Sequence, residues 1–190
     1  KLGTYSLDTK KINDFDHIIY AGSLGKYFRN DIKSFSQNSY LKSIDNYKDL
    51  ELNNILSQSR GLKIGISWKS FKNRYSSEKS LSLEDFDNIF KISETKIFNL
   101  QYGDVKDELK EFTKKHNYKI ITLESLDLFN NFSGLANLLK NLDLLVTVSN
   151  STAHLAGALG VKTILIKPAN HASFHYWDYE DGKTPWYKSV

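Results

Sequence analysis

Short apolar runs punctuate the chain at 62–68 (LKIGISW), 96–101 (KIFNLQ), 119–123 (KIITL), 144–148 (LLVTV) and 161–166 (VKTILI). Each is strand-length and rich in β-branched residues, which is how strands buried on both faces of a parallel sheet read. Between the runs the apolar spacing changes to that of helices. Leu52, Ile55 and Leu56 mark a helix over 47–59 that Asn46 can cap and Gly61 can stop. Leu83, Phe86, Ile89 and Phe90 mark another through residue 92, opened by a capping box of Ser82 with Asp85. Asp104 can cap a third, striped by Val105, Leu109 and Phe112, and 132–142 is a leucine-rich fourth. This alternation predicts the α/β class with a doubly wound parallel sheet. A further strand is expected at 17–21 (HIIYA), followed by a loop with a brief helical turn over 22–35. Residues 1–45 read as a lead-in segment from a preceding region and 46–190 as the domain proper.

The stretch 143–168 reads as strand, turn, helix, strand, and the other elements are arranged around it. Ser149, Asn150, Ser151 and Thr152 crowd the start of its helix, where side-chain oxygens can cap and several backbone N–H groups remain free. Ala153, Ala156, Gly157 and Gly160 fall on one side, so the helix can press close to the sheet and aim its positive dipole end at the carboxyl edge. Ligands of open α/β sheets bind at that edge. The residues alone fit an anion site and an ordinary, well-capped βαβ crossover equally.

Other candidates gather at the same edge. The run at 62–68 delivers a loop, KSFKNRYSSEKS, with Lys69, Lys72, Arg74 and Lys79, which suits a phosphate or is simply a solvated surface loop. Gln101 stands at the carboxyl end of its strand, and His116, on the stripe of its helix, reads as a packing or dipole-compensating residue. Gly22 and Gly25 do not complete a dinucleotide fingerprint, because Phe28 stands where the third glycine belongs.

Composition adds boundaries. Forty per cent hydrophobic residues in 190 can fill a core, and zero cysteines exclude a disulfide framework and a thiolate metal site, which fits a reducing, cytoplasmic compartment. No apolar stretch approaches the roughly 20 residues that span a bilayer, and the start has no signal-peptide pattern. The charge of +4 is spread over lysines scattered among 22 acidic residues, so nucleic acid is not an expected partner. Zero methionines, even at position 1, suggest a piece of a longer protein.

Taken in order, KIGISWK, SLSLEDF, IFNLQYG, DLLVTVSNSTAHLAGALG and TPWYKS resemble the carboxyl-terminal half of a heptosyltransferase-like (glycosyltransferase family 9-like) enzyme. More narrowly they resemble bacterial proteins in which such a domain follows tetratricopeptide repeats. The resemblance covers 18–190 and implies the Rossmann-like carboxyl-terminal half of a GT-B fold, holding a nucleotide-diphospho-sugar without a metal or other cofactor. It implies that Asn150, Ser151 and Thr152 cradle the donor diphosphate with His154 one turn in, and that Lys79 reaches phosphate. By the same resemblance Gln101 lies near the ribose or base, and Trp68, Lys69 and Ser149 line the nucleotide and sugar cleft. The chain departs from the pattern at Ser149 and Asn150, where relatives carry Asp-Thr, and at Phe174, Tyr176 and Trp177, which replace a tryptophan pair. The general base belongs to the amino-terminal domain in this family, so no catalytic residue is assigned, and Asp178, Glu180 and Asp181 read as surface groups. The expected partners are the sugar donor, a glycan, lipid or protein acceptor, and the chain's own amino-terminal domain or repeats. A second reading is a non-catalytic interaction or scaffold module that has lost the sugar-contacting carboxylate. A third, a flavodoxin-like phosphate binder, lacks the loop chemistry it needs. The first two differ in whether Ser149, Lys79 and Gln101 converge on one pocket or the aromatic tail fills it.

Overall fold

The computed structural model describes residues 16–190 apart from 37, 45, 46, 48, 59, 72–74, 170–172 and 178–181. Lys72, Arg74, Asp178, Glu180 and Asp181, the cap assigned to Asn46 and the lead-in 1–15 therefore lie outside the described residues. The chain divides into two compact units, Lys1–Ser36 and Gln37–Val190, so the second begins before the expected boundary at 46.

The second unit is built on five parallel strands: β1 (Leu62–Ser67), β2 (Thr95–Asn99), β3 (Ile120–Ile121), β4 (Leu144–Val148) and β5 (Thr163–Ile166), in the order β3-β2-β1-β4-β5. Ile64 faces Ile97 of β2 on one side and Leu144 of β4 on the other. The chain leaves β1 toward one edge and later returns to add β4 on its other side. The sheet is thus Rossmann-like and doubly wound, with its topological switch point between β1 and β4.

Alternate residues serve opposite faces. Phe98, Leu100 and Leu145 pack with α1 (Leu50–Gln58), Leu135, Leu138 and Leu139, and Ala156 and Leu159. On the other face Ile64, Ile66, Ile97 and Val146 pack with Leu83 and Phe86 of a 3-10 turn, with Val105, and with Phe112. The aromatics Phe86 and Phe90 belong to this second cluster, as their helical spacing predicted. Gly65 interrupts β1 because a Cβ there would come within 2.6 Å of Leu142 and 2.8 Å of Leu100, contacts that real Cβ atoms do not make.

Several boundaries differ from the sequence reading for local reasons. No strand forms at 17–21: residues 17–20 are exposed, and the Ser23 N–H turns back to Tyr20 O at 2.8 Å to open the 3-10 turn Ala21–Ser23. Single turns follow at Gly25–Phe28 and Ile32–Ser34, the latter capped by Asp31. At the start of α1 the Asp49 carboxylate accepts the Leu52 N–H at 3.0 Å and does the capping. The capping box of Ser82 and Asp85 forms and leads through the 3-10 turn Leu83–Phe86 into α2 (Asp87–Phe90). In α3 (Lys106–His116) Val105 occupies the cap position with no side-chain bond, so Asp104 is not the cap; Val105 is drawn into the core instead. His116 packs tilted against Phe112 and stacks on Tyr118, the packing role expected of it.

The remaining helices flank β4. α4 (Phe132–Lys140) is capped by Asn131, which accepts the Gly134 N–H at 2.9 Å. α5 (Ser151–Leu159) opens on Asn150 and ends at Gly160, whose φ of +73° is the left-handed conformation glycine tolerates. The small face of α5 is divided in use. Ala156 meets the core beneath the sheet, but Gly157 makes room for the Tyr187 ring rather than for a strand. Among the described residues no helix is long and apolar enough to cross a membrane.

Candidate functional site

At and just beyond the carboxyl ends of the adjacent strands β2, β1 and β4 stand six buried polar residues: Ser67, Asn99, Gln101, Thr147, Ser149 and Asn150. Buried polar groups need partners, and here they find one another. The Asn150 Oδ1 accepts the Ala153 N–H at 3.1 Å, capping α5, while its Nδ2 donates to Ser67 Oγ at 2.8 Å and to the Lys69 carbonyl at 3.3 Å. Gln101 works from the other side: its Oε1 accepts the N–H groups of Trp68 and Lys69 at 2.8 and 2.7 Å and the Ser67 hydroxyl at 3.2 Å. Its Nε2 donates to the carbonyls of Tyr102 and Lys69 at 2.9 and 3.3 Å. Both amide hydrogens are then in use, and the side chain has no donor left for a ribose.

The other cleft candidates follow from that network. Trp68 is wholly buried rather than cleft-lining, and its indole N–H donates to Glu108 of α3 at 3.1 Å. Lys69 puts its ammonium on the same carboxylate at 2.6 Å. Glu108 thus anchors the root of the basic loop from the first turn of a different helix. Ser151 is exposed at the start of α5, whereas Thr152 is fully buried and its Oγ1 meets no hydrogen-bond partner among the described residues.

Lys79, Ser149 and His154 belong to a second neighbourhood, built from rings. The turn Ser76–Lys79 carries Lys79 to 4% exposure, and its ammonium lies 3.7 Å from the centroid of Phe174. Phe174 stacks on Tyr176 at 5.2 Å, and Tyr176 meets His154 edge-on at 5.0 Å. Trp177 stacks on His154 at 4.6 Å and donates its indole N–H to Ser149 Oγ at 2.9 Å. The Tyr187 hydroxyl lies 3.0 Å from His154 Nδ1 and completes the cluster. Burial pushes the His154 pKa below the ordinary imidazole value and holds the Tyr176 and Tyr187 hydroxyls above theirs. The aromatic tail therefore lies over the mouth of the sheet at the switch point.

The predicted residues thus form two groups. Gln101, Asn150, Trp68 and Lys69 are joined by hydrogen bonds to the protein itself, and Lys79, Ser149 and His154 by the tail. Ser67, Asn99, Thr147 and Glu108 were not singled out from the sequence, and Tyr187 entered only as part of the TPWYKS motif. Ser67 and Thr147 carried one available signal, a hydroxyl at the end of an apolar run, where a core strand has no use for it.

Beside this network lies a cavity of about 570 Å³ between the carboxyl ends of β2 and β3, lined by Asn99, Gln101, Tyr102, Thr122, Leu128 and Phe129 among others. It is of a size for a nucleoside. The rings of Tyr102 and Phe129 stand 5.9 Å apart at its wall. Among the described residues no group of His, Cys, Asp or Glu is placed to hold a metal ion.

The chain is similar to Protein FlbA of Caulobacter vibrioides, with 29% identity over 133 residues, which is 68% of this chain and 21% of that protein. The match thus spans about a fifth of the curated relative's length. No protein-family model matches the chain, and no solved structure does.

Proposed function

We propose that this domain is the donor-binding half of a heptosyltransferase-like, GT-B glycosyltransferase of the bacterial kind that follows tetratricopeptide repeats. It would take a nucleotide-diphospho-sugar at the start of α5. The observation that carries this reading is the position of Lys79: a lysine ammonium at 4% exposure, in one aromatic cluster with the residues that open and line α5. The free amide donors of a helix start and a nearby cation are what a diphosphate needs. The exposed Ser151 hydroxyl suits a phosphate oxygen, and the cavity at the ends of β2 and β3 suits the nucleoside.

The chemistry follows from charge. As the bond between the sugar's anomeric carbon and the diphosphate breaks, its electron pair leaves with the nucleoside diphosphate. Lys79 and the dipole of α5 stabilise that charge, which is the task a divalent ion performs elsewhere. An acceptor oxygen of a glycan, lipid or protein forms the new bond, and its proton goes to a base outside this domain. The reading places the protein in the cytoplasm, where nucleotide-sugars are made.

One observation favours a second reading, a non-catalytic scaffold module: the Ser149 hydroxyl, which stands where a sugar-contacting carboxylate would be, is bonded to Trp177. A thermal-shift screen of the chain against ADP, UDP, GDP and CMP and their sugar conjugates, with NAD as control, separates the two. Selective stabilisation by one nucleotide supports the donor domain, because a ligand bound only to the native state raises its stability. A folded chain that responds to none of them belongs to the scaffold reading.

A further inference from the structure

The polar groups that a phosphorylated ligand would use at the start of α5 are not idle in this structure. Ser149 Oγ holds the Trp177 indole at 2.9 Å, and the Lys79 ammonium lies on the face of Phe174 at 3.7 Å. Both rings come from residues 173–177, whose only regular element is the 3-10 turn His175–Trp177. The segment is also held by rings, with Trp177 and Tyr176 against His154 at 4.6 and 5.0 Å and Trp177 against Tyr187 at 5.9 Å, and by Thr184 Oγ1, which donates to the Tyr176 carbonyl at 2.6 Å.

We propose that residues 173–177 form a strap that occupies the anion site in the ligand-free domain and is displaced when a nucleoside diphosphate binds. The proposal rests on the nucleotide-binding reading above.

The strap's grip is made of exchangeable contacts. A neutral hydrogen bond contributes about 1 kcal/mol and a desolvated cation–π contact about 2 kcal/mol or more. A phosphate offers the same lysine a charge-assisted bond of greater strength and offers the helix start an anion. The exchange therefore runs toward the ligand, at a cost to apparent affinity set by how fully the strap is closed beforehand. By contrast the Asn150–Ser67–Gln101 network has no ring in it, and it stays in place as the floor of the site. Trp177 is 4% exposed in the closed form and would report the change, because opening carries its indole into water.

The test uses the whole chain and four probes, ADP, UDP, GDP and inorganic pyrophosphate. Calorimetric titration compares the wild-type chain with Phe174→Leu and Trp177→Phe, each checked for a cooperative melt. Separately, acrylamide quenching is followed in a Trp186→Phe background, which leaves the wholly buried Trp68 and the strap's Trp177 as emitters. About tenfold tighter binding in either folded variant, with quenching of Trp177 that rises on adding the same probe, is the expected result. Equal or weaker binding in the variants, or quenching that does not change as the probe saturates, overturns the strap and leaves the nucleotide site standing. Absence of binding by the wild type and by every folded variant overturns the site itself and the strap with it.

Discussion

The two polar neighbourhoods at the carboxyl edge differ in how their groups are satisfied. Around Gln101 and Asn150 each amide holds several fixed protein partners, at distances from 2.7 to 3.4 Å. Around Lys79, Ser149 and His154 the partners are aromatic rings from a single late segment of the chain. The first is a rivet: removing a member strands backbone N–H groups that cannot reach water. The second is a surface of replaceable contacts, where a ring can be exchanged for a ligand at little cost to the fold. Stability should depend on the first and binding on the second.

The largest effect expected from breaking this contrast is in the rivet. Gln101→Leu leaves the Trp68 and Lys69 N–H groups without their acceptor, and the loss is about 3 kcal/mol of unfolding free energy. Urea denaturation reads it directly, and a change within error of zero would show that the loop finds other partners. Asn150→Ala comes next, with about 2 kcal/mol lost to the missing cap and the hydrogen bond no longer donated to Ser67. A thermal melt gives the sign. In the other neighbourhood, Lys79→Ala should weaken nucleoside diphosphate binding by about 2 kcal/mol with a smaller change in stability. Unchanged affinity in a calorimetric titration removes Lys79 from the site.

The smallest effect is one of pH. His154 is held below its ordinary pKa of 6.5 by burial among Tyr176, Trp177 and Tyr187. In the window just below 6.5 the unfolded chain therefore binds more protons than the folded one. The stability contributed by His154 is fully present above the unfolded value and is lost as the pH falls through 6.5 toward the lower folded value. His154→Gln should flatten that part of the profile, as measured by urea midpoints at pH 7.5 and pH 5; an identical slope in the variant rules the residue out.

The legibility of the chain divides along the same line. The strands could be read because a doubly covered parallel sheet demands consecutive apolar residues; β1, β3, β4 and β5 fall inside the runs that showed it, and β2 begins one residue before its run. The capping box at Ser82 was legible because both of its members lie within one turn. Asp49 was not chosen over Asn46, since a cap depends on where the helix begins to be packed rather than on residue type alone. Gln101 was placed correctly at a strand's end, but its use was hidden. Its partners are Ser67, Trp68 and Lys69, more than 30 residues earlier. Glu108 was hidden for the same reason, as a helix-start acid that looks like dipole compensation until Trp68 and Lys69 are brought beneath it.

Local sequence thus determined the alternation of elements, the two-sided burial of the sheet and the crowding of hydroxyls at the start of α5, because periodicity and capping act over a few residues. Tertiary structure alone decided which polar side chains would be locked together and which would be covered by rings. Residues 67, 101 and 150 become neighbours only when β1, β2 and β4 line up side by side. The tail finds Lys79 and Ser149 only after that edge exists.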